Sequence, residues 1–235
     1  MRFPPLTYSA LGAREEMIEV GDKNMEAIYP FLKAWARWVL LTEVGFLGGW
    51  YVVQAISTSA VIHIGLAPAS LMLSGIWGAS LGAAQWLELS RHQLPSKPSA
   101  WIIGTATGLA IWLFVGVILS AATIGEPLKA LPVERAISAL LVGAGVGLGV
   151  GIAQCRALRL RGADARIWKV VNAVGLAFGC LAGSIWADVH AGGWGTPAGM
   201  PLFTVAAGLG LGGASGRSLQ TIIRRVRIRQ LVEVF

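Results

Sequence analysis

Apolar residues come in six runs separated by short polar breaks, near residues 38–60, 68–89, 100–123, 136–157, 167–188 and 202–223. Each run is about 22 residues long, which at about 1.5 Å per residue matches a hydrocarbon core of about 30 Å. The pattern predicts an all-α integral membrane protein with six transmembrane helices in residues 38–223. Residues 1–37 are more polar. There Glu15, Glu16, Glu19, Asp22 and Glu26 alternate with Met17, Met25, Ile28 and Leu32 at roughly helical spacing. This predicts a cytoplasmic arm with a short amphipathic helix on the membrane surface and a bend at Pro30. Residues 1–33 hold no apolar h-region, so no cleavable signal peptide is expected. Residues 224–235 read as a basic cytoplasmic tail.

Basic residues set the orientation. With a cytoplasmic N-terminus and six spans, 17 of the 19 Lys and Arg residues fall on the cytoplasmic side, and only Lys129 and Arg135 fall opposite. The positive-inside rule then places both termini in the cytoplasm, and an odd number of spans would spoil the split. Tryptophans fit an interfacial belt: Trp35, Trp38, Trp86, Trp101 and Trp168 at the cytoplasmic interface, Trp186 and Trp194 at the other. Trp50, Trp77 and Trp112 sit deeper and call for core packing or a ligand.

The runs repeat in pairs. Trp38-x3-Thr42-x2-Gly45, Trp101-x3-Thr105-x2-Gly108 and Trp168-x3-Asn172-x2-Gly175 open the odd runs, at spacings of 63 (101 − 38) and 67 (168 − 101) residues. The even runs carry Gly82-Ala83-Ala84-Gln85, Gly151-Ile152-Ala153-Gln154 and Gly213-Ala214-Ser215-Gly216. The unit is a two-helix hairpin used three times, about 38–99, 100–166 and 167–223. Each copy starts on the same side, so the repeats are parallel.

The stretch from Gly78 through Gln85-Trp86, a basic loop and Trp101 to Gly108 resembles uncharacterised bacterial multi-pass membrane proteins of cyanobacterial and green filamentous bacterial type. These repeat G-x-x-Q-W-x-x-L hairpins followed by W-x-x-x-[ST]-x-x-G helices. The resemblance covers about 74–185 and departs at Cys155 and Gly216. It implies a bacterial cytoplasmic or photosynthetic membrane, and no particular activity.

Composition narrows the function. Charged residues make up 13% of the chain, against about 25% in an average soluble domain. Free of metalloprotease, nucleophile-elbow or P-loop motifs and of metal-spaced cysteines, the sequence points to no enzyme and no metal. Cys155 and Cys180 read as small buried hydrophobes. The net charge of +7 fits basic loops on anionic lipid, with Arg156, Arg159, Arg161, Arg166, Arg224, Arg225, Arg227 and Arg229 as contacts, rather than nucleic acid.

Glycines at 75, 78 and 82, at 143, 147 and 151, and at 208, 212 and 216 form stripes of one helix face each, with Gly145 and Gly149 on a second face. Such stripes let helices approach closely, or line grooves for a lipid, carotenoid, quinone or chlorin. Thr42, Thr105, Asn172, Gln85 and Gln154 predict one interhelical hydrogen-bonded layer. Glu43 reads as the one intramembrane carboxylate, with Arg37 or Lys169 as its partner and a proton or ion role as the functional alternative. His63 is the candidate pigment ligand, and Asp188 with His190 is expected to close the fifth helix. The expected function is a packing or accessory subunit beside other membrane subunits; a small transporter or channel using Glu43 is the alternative.

Overall fold

A computed structural model describes residues 8–92, 97–124, 132–193, 196 and 198–232, with side chains for 29–57, 59–65, 68–92, 97–115, 132–193, 196 and 198–225. Among these, the long regular elements are six α-helices: α1 (Tyr8–Ile64), α2 (Leu66–Leu89), α3 (Pro98–Ile124), α4 (Pro132–Ala157), α5 (Gly162–Ala191) and α6 (Gly199–Val232). Four of them contain stretches long and apolar enough to cross a membrane: Tyr29–Ser57, Pro98–Val115, Pro132–Ala157 and Gly162–Ala191.

Each helix packs on the next, and α6 returns to pack on α1, so the six close into a ring. Close approach at glycine builds most of the seams. A side-chain carbon on Gly45 would lie 2.7 Å from Leu81 Cα, one on Gly78 2.7 Å from Ala106 Cα, and one on Gly108 3.0 Å from Val150 Cα. On α4, Gly143, Gly147 and Gly151 face the backbone of α5 at Leu176, Asn172 and Lys169, while Gly149 lies under the Trp112 ring of α3. The α5–α6 seam uses a stripe not singled out from the sequence: Gly175, Gly179 and Gly183 against Gly210, Ala206 and Phe203. A glycine costs about 1 kcal/mol against alanine in an isolated helix. Here each one admits a neighbouring backbone or ring.

Gly75 departs from its expected packing role: a side-chain carbon there would meet no atom within 4 Å. It stands away from the α2–α3 seam that Gly78 and Gly82 form. A second departure is at the N-terminal arm. In place of a separate short helix, the backbone is helical without interruption from Tyr8 through Pro30 to Ile64. Proline removes one helical donor but its fixed φ is compatible with the helix. The side chains of the acidic cluster, together with Trp194 and Lys129, lie outside the described residues.

The connections are tight. Gly65 alone, at φ 82°, reverses the chain between α1 and α2. The α4–α5 turn is closed by Arg159 at φ 54°, with Leu160 N–H donating to Cys155 O at 2.9 Å. Gly192, at φ 70°, ends α5 by returning its N–H to Ala187 O. Asp188 does not perform that closure. It reaches across to α4, accepting from Arg135 Nη2 at 3.0 Å, while His190 stacks edge-on to Trp186.

Candidate functional site

The three tryptophans that open the odd runs meet inside the ring. Trp38, Trp101 and Trp168 are each 0% exposed, and each pair of ring centroids is 6.4 Å apart at 59–69°. They are therefore not interfacial anchors. Three indoles at these angles set the edge of one against the face of the next, the arrangement favoured by the aromatic quadrupole. They plug one end of the bundle. The interfacial expectation failed because the three indoles pack on one another, and the N–H groups of Trp38 and Trp168 find acceptors inside the protein.

Those partners form the polar layer. Gln154 of α4 is the hub: its Nε2 donates to Gln85 Oε1 at 3.1 Å and to Thr105 Oγ1 at 3.2 Å, and its Oε1 accepts from Trp168 Nε1 at 3.2 Å. Gln85 Nε2 in turn donates to Thr42 Oγ1 at 3.3 Å. Five helices are thus joined through two amides. On the other side Trp38 Nε1 donates to Ser215 Oγ of α6 at 2.9 Å. Ser215 was missed because the repeat aligned Gly216 with the glutamines. Asn172 departs from the expected interhelical ring: it lies in the layer, 1% exposed, but its Nδ2 donates to Trp168 O of its own helix at 2.8 Å. Trp101 Nε1 is buried with no acceptor.

Beyond this layer the axis turns apolar. All six helices contribute to a cavity of about 60 Å³, with Phe46, Trp77, Leu109, Val146, Leu176 and Ala207 among its walls. A void lined wholly by carbon and sulfur offers water no hydrogen bonds and stays dry. Trp77 closes its side, with Nε1 donating to Phe46 O at 2.8 Å.

Two glutamates sit near the plugged end, and the sequence singles out only one. Glu88, in the last turn of α2, is 0% exposed and pairs with Arg37 at 3.0 Å and His92 at 3.3 Å, with Arg91 at 3.9 Å. Arg37 therefore belongs to Glu88, not to Glu43. Glu43 pairs with neither Arg37 nor Lys169. Both of its carboxylate oxygens are buried without a hydrogen-bond partner, in a notch that Gly208 opens on α6. A side-chain carbon at Gly208 would come within 2.7 Å of Glu43 Oε1. Gly212 and Gly216 continue that seam, under Thr42 and Val39 and under Trp35 and Trp38.

The remaining candidates scatter. His63 is exposed at the end of α1, its Nδ1 2.7 Å from Ser59 O. Arg156, Arg159, Arg161, Arg166, Arg224 and Arg225 are exposed at the plugged end, and the side chains of Arg227 and Arg229 lie outside the described residues. No group of three or more metal-ligating side chains occurs among the described residues. No protein-family model, curated protein or solved structure matches the chain.

Proposed function

We propose that the chain is a non-catalytic packing or accessory subunit of a larger assembly in a bacterial cytoplasmic or photosynthetic membrane. In this reading all six helices span the bilayer as three parallel hairpins, with both termini on the cytoplasmic side. The apolar belt formed by Leu40, Val44, Ile103, Leu141, Phe178 and Val189 faces lipid and partner subunits, and the exposed arginines meet anionic headgroups.

One observation carries the proposal: among the described residues, the ring is filled along its axis. A three-indole plug and a polar layer bonded to itself are followed by dry apolar packing. A cavity of about 60 Å³ is well under the about 300–1,000 Å³ of small-molecule pockets. A carotenoid, quinone or chlorin would therefore lie in outer grooves rather than in the core. Purification in mild detergent tests this, with mass, co-purifying proteins and absorption spectrum recorded together. A large assembly with defined partners is expected; a monodisperse, partner-free and colourless species would overturn it.

Transport through the alternative route is favoured by a single feature, the partnerless Glu43 in its notch. Proton or cation flux into vesicles that vanishes in Glu43→Gln, with folding intact, would establish that reading instead.

A further inference from the structure

Between the start of α5 and the cytoplasmic half of α6 lies a pocket of about 190 Å³. Arg217, Ser218, Thr221 and Arg225 line it from α6, and Asp164 and Ile167 from α5. We propose that it is a headgroup site for one phosphodiester of an anionic phospholipid. The inference rests on the reading that this end of the bundle meets the cytoplasmic membrane surface.

The charges fit a monoanion. Asp164 is paired with Arg225, while Arg217 has no carboxylate partner among the described residues. The pocket therefore carries one net positive charge. Arg217 is exposed, with its guanidinium donors free, and the Ser218 hydroxyl is a second donor. Thr221 contributes an acceptor only, since its hydroxyl donates to Arg217 O at 3.2 Å.

The apolar part decides between a lipid and free phosphate. Ile167 and Ile222 form the carbon walls of the pocket. From Ile167, the side chains of Val174, Phe178 and Ile185 follow along one outward face of α5, each 47–61% exposed. This stripe is an acyl-chain track leading directly from the headgroup pocket. Inorganic phosphate would leave it unused. Neighbouring Arg161, Arg166 and Arg224 repel an ammonium headgroup and favour an anionic one.

Native mass spectrometry of the full chain, supplied with phosphatidylglycerol or phosphatidylcholine, tests the site. Retention of one phosphatidylglycerol per chain in preference to phosphatidylcholine is expected. Arg217→Gln should weaken retention about fivefold, the effect of one basic residue near a surface, and Ser218→Trp should abolish it by filling the pocket. Arg159→Gln, which removes an equal charge outside the pocket, should weaken retention less than Arg217→Gln does. Equal loss in Arg159→Gln and Arg217→Gln would overturn the pocket while sparing the general lipid reading. Equal retention of the two lipids would overturn both. Displacement of phosphatidylglycerol by millimolar inorganic phosphate would reassign the pocket to a free anion.

Discussion

The two halves of the ring, divided just past the polar layer, are built by the same six helices on opposite principles. In the plugged half, three indoles converge on the axis, and two of them, Trp38 and Trp168, join two glutamines, two threonines and Ser215 in hydrogen bonds. In the other half the axis holds Phe46, Trp77, Leu109, Val146 and Leu176 around a dry void. A polar layer tolerates one register, because any slip leaves amides unpaired where water cannot reach. Apolar packing tolerates several. The plugged half thus fixes which helix faces which, and the other half supplies adaptable contact area. Gly147 stands beside the first half and Gly143 beside the second, so glycine seams serve both.

The largest disruption is expected at such a seam. Gly147→Leu would place Cβ 2.3 Å from Asn172 O and 2.8 Å from Ala173 Cα, both backbone atoms of α5. Neither can yield without moving the helix, so no monodisperse protein should be recovered by size-exclusion chromatography. Gly75→Leu is the matched control. It meets nothing within 4 Å and should elute as the wild type does.

Next is the hub. Gln154→Leu removes three hydrogen bonds and strands Trp168 Nε1 in a dry interior. Interhelical bonds in membranes are worth about 0.6–2 kcal/mol each, so a loss of about 2–4 kcal/mol is expected in detergent unfolding. If the plugged half specifies register, this variant should also lose helix-pairing cross-links, whereas an apolar-half variant of equal instability should keep them. The apolar half offers the opposite sign. Ala207→Val at the cavity wall should raise stability by about 1 kcal/mol, the gain for burying a methylene or two in existing space. A drop would mean that the void is already at its packing limit.

What the sequence revealed follows the same division. Period and length announced an all-helical chain with membrane-spanning stretches, and i, i+4 glycines announced most of the close approaches. The polar layer was legible because amides and hydroxyls in apolar runs have few alternatives to one another. The indole plug was not. A tryptophan at the edge of an apolar run looks the same whether it faces headgroups or an internal acceptor, and only Ser215 and Gln154 in space tell the two apart. Glu88 was passed over because it ends its run beside Arg91 and His92, where a solvated carboxylate is the ordinary expectation. Its burial comes from Arg37, 51 residues away.

The smallest expected effect, and the one that most sharpens the contrast, is at Glu43 when it is set against Glu88. Glu88→Gln breaks ion pairs with Arg37 and His92; the Arg37 side chain is 36% exposed and is re-solvated in part, so the loss should be about 1–2 kcal/mol, below that of a fully buried pair. Glu43→Gln breaks nothing, because neither oxygen of Glu43 has a partner, and the amide fits the same notch; its stability should stay within about 1 kcal/mol of wild type. Gly208→Ala supplies the complementary test. The added carbon would meet Glu43 Oε1 at 2.7 Å, the end of a flexible side chain rather than a backbone, so the fold should survive while the carboxyl is turned out of its notch. Carbodiimide labelling of Glu43, read by mass spectrometry, would then rise in Gly208→Ala. Unchanged labelling with unchanged stability would mean that the notch does not hold the carboxyl at all.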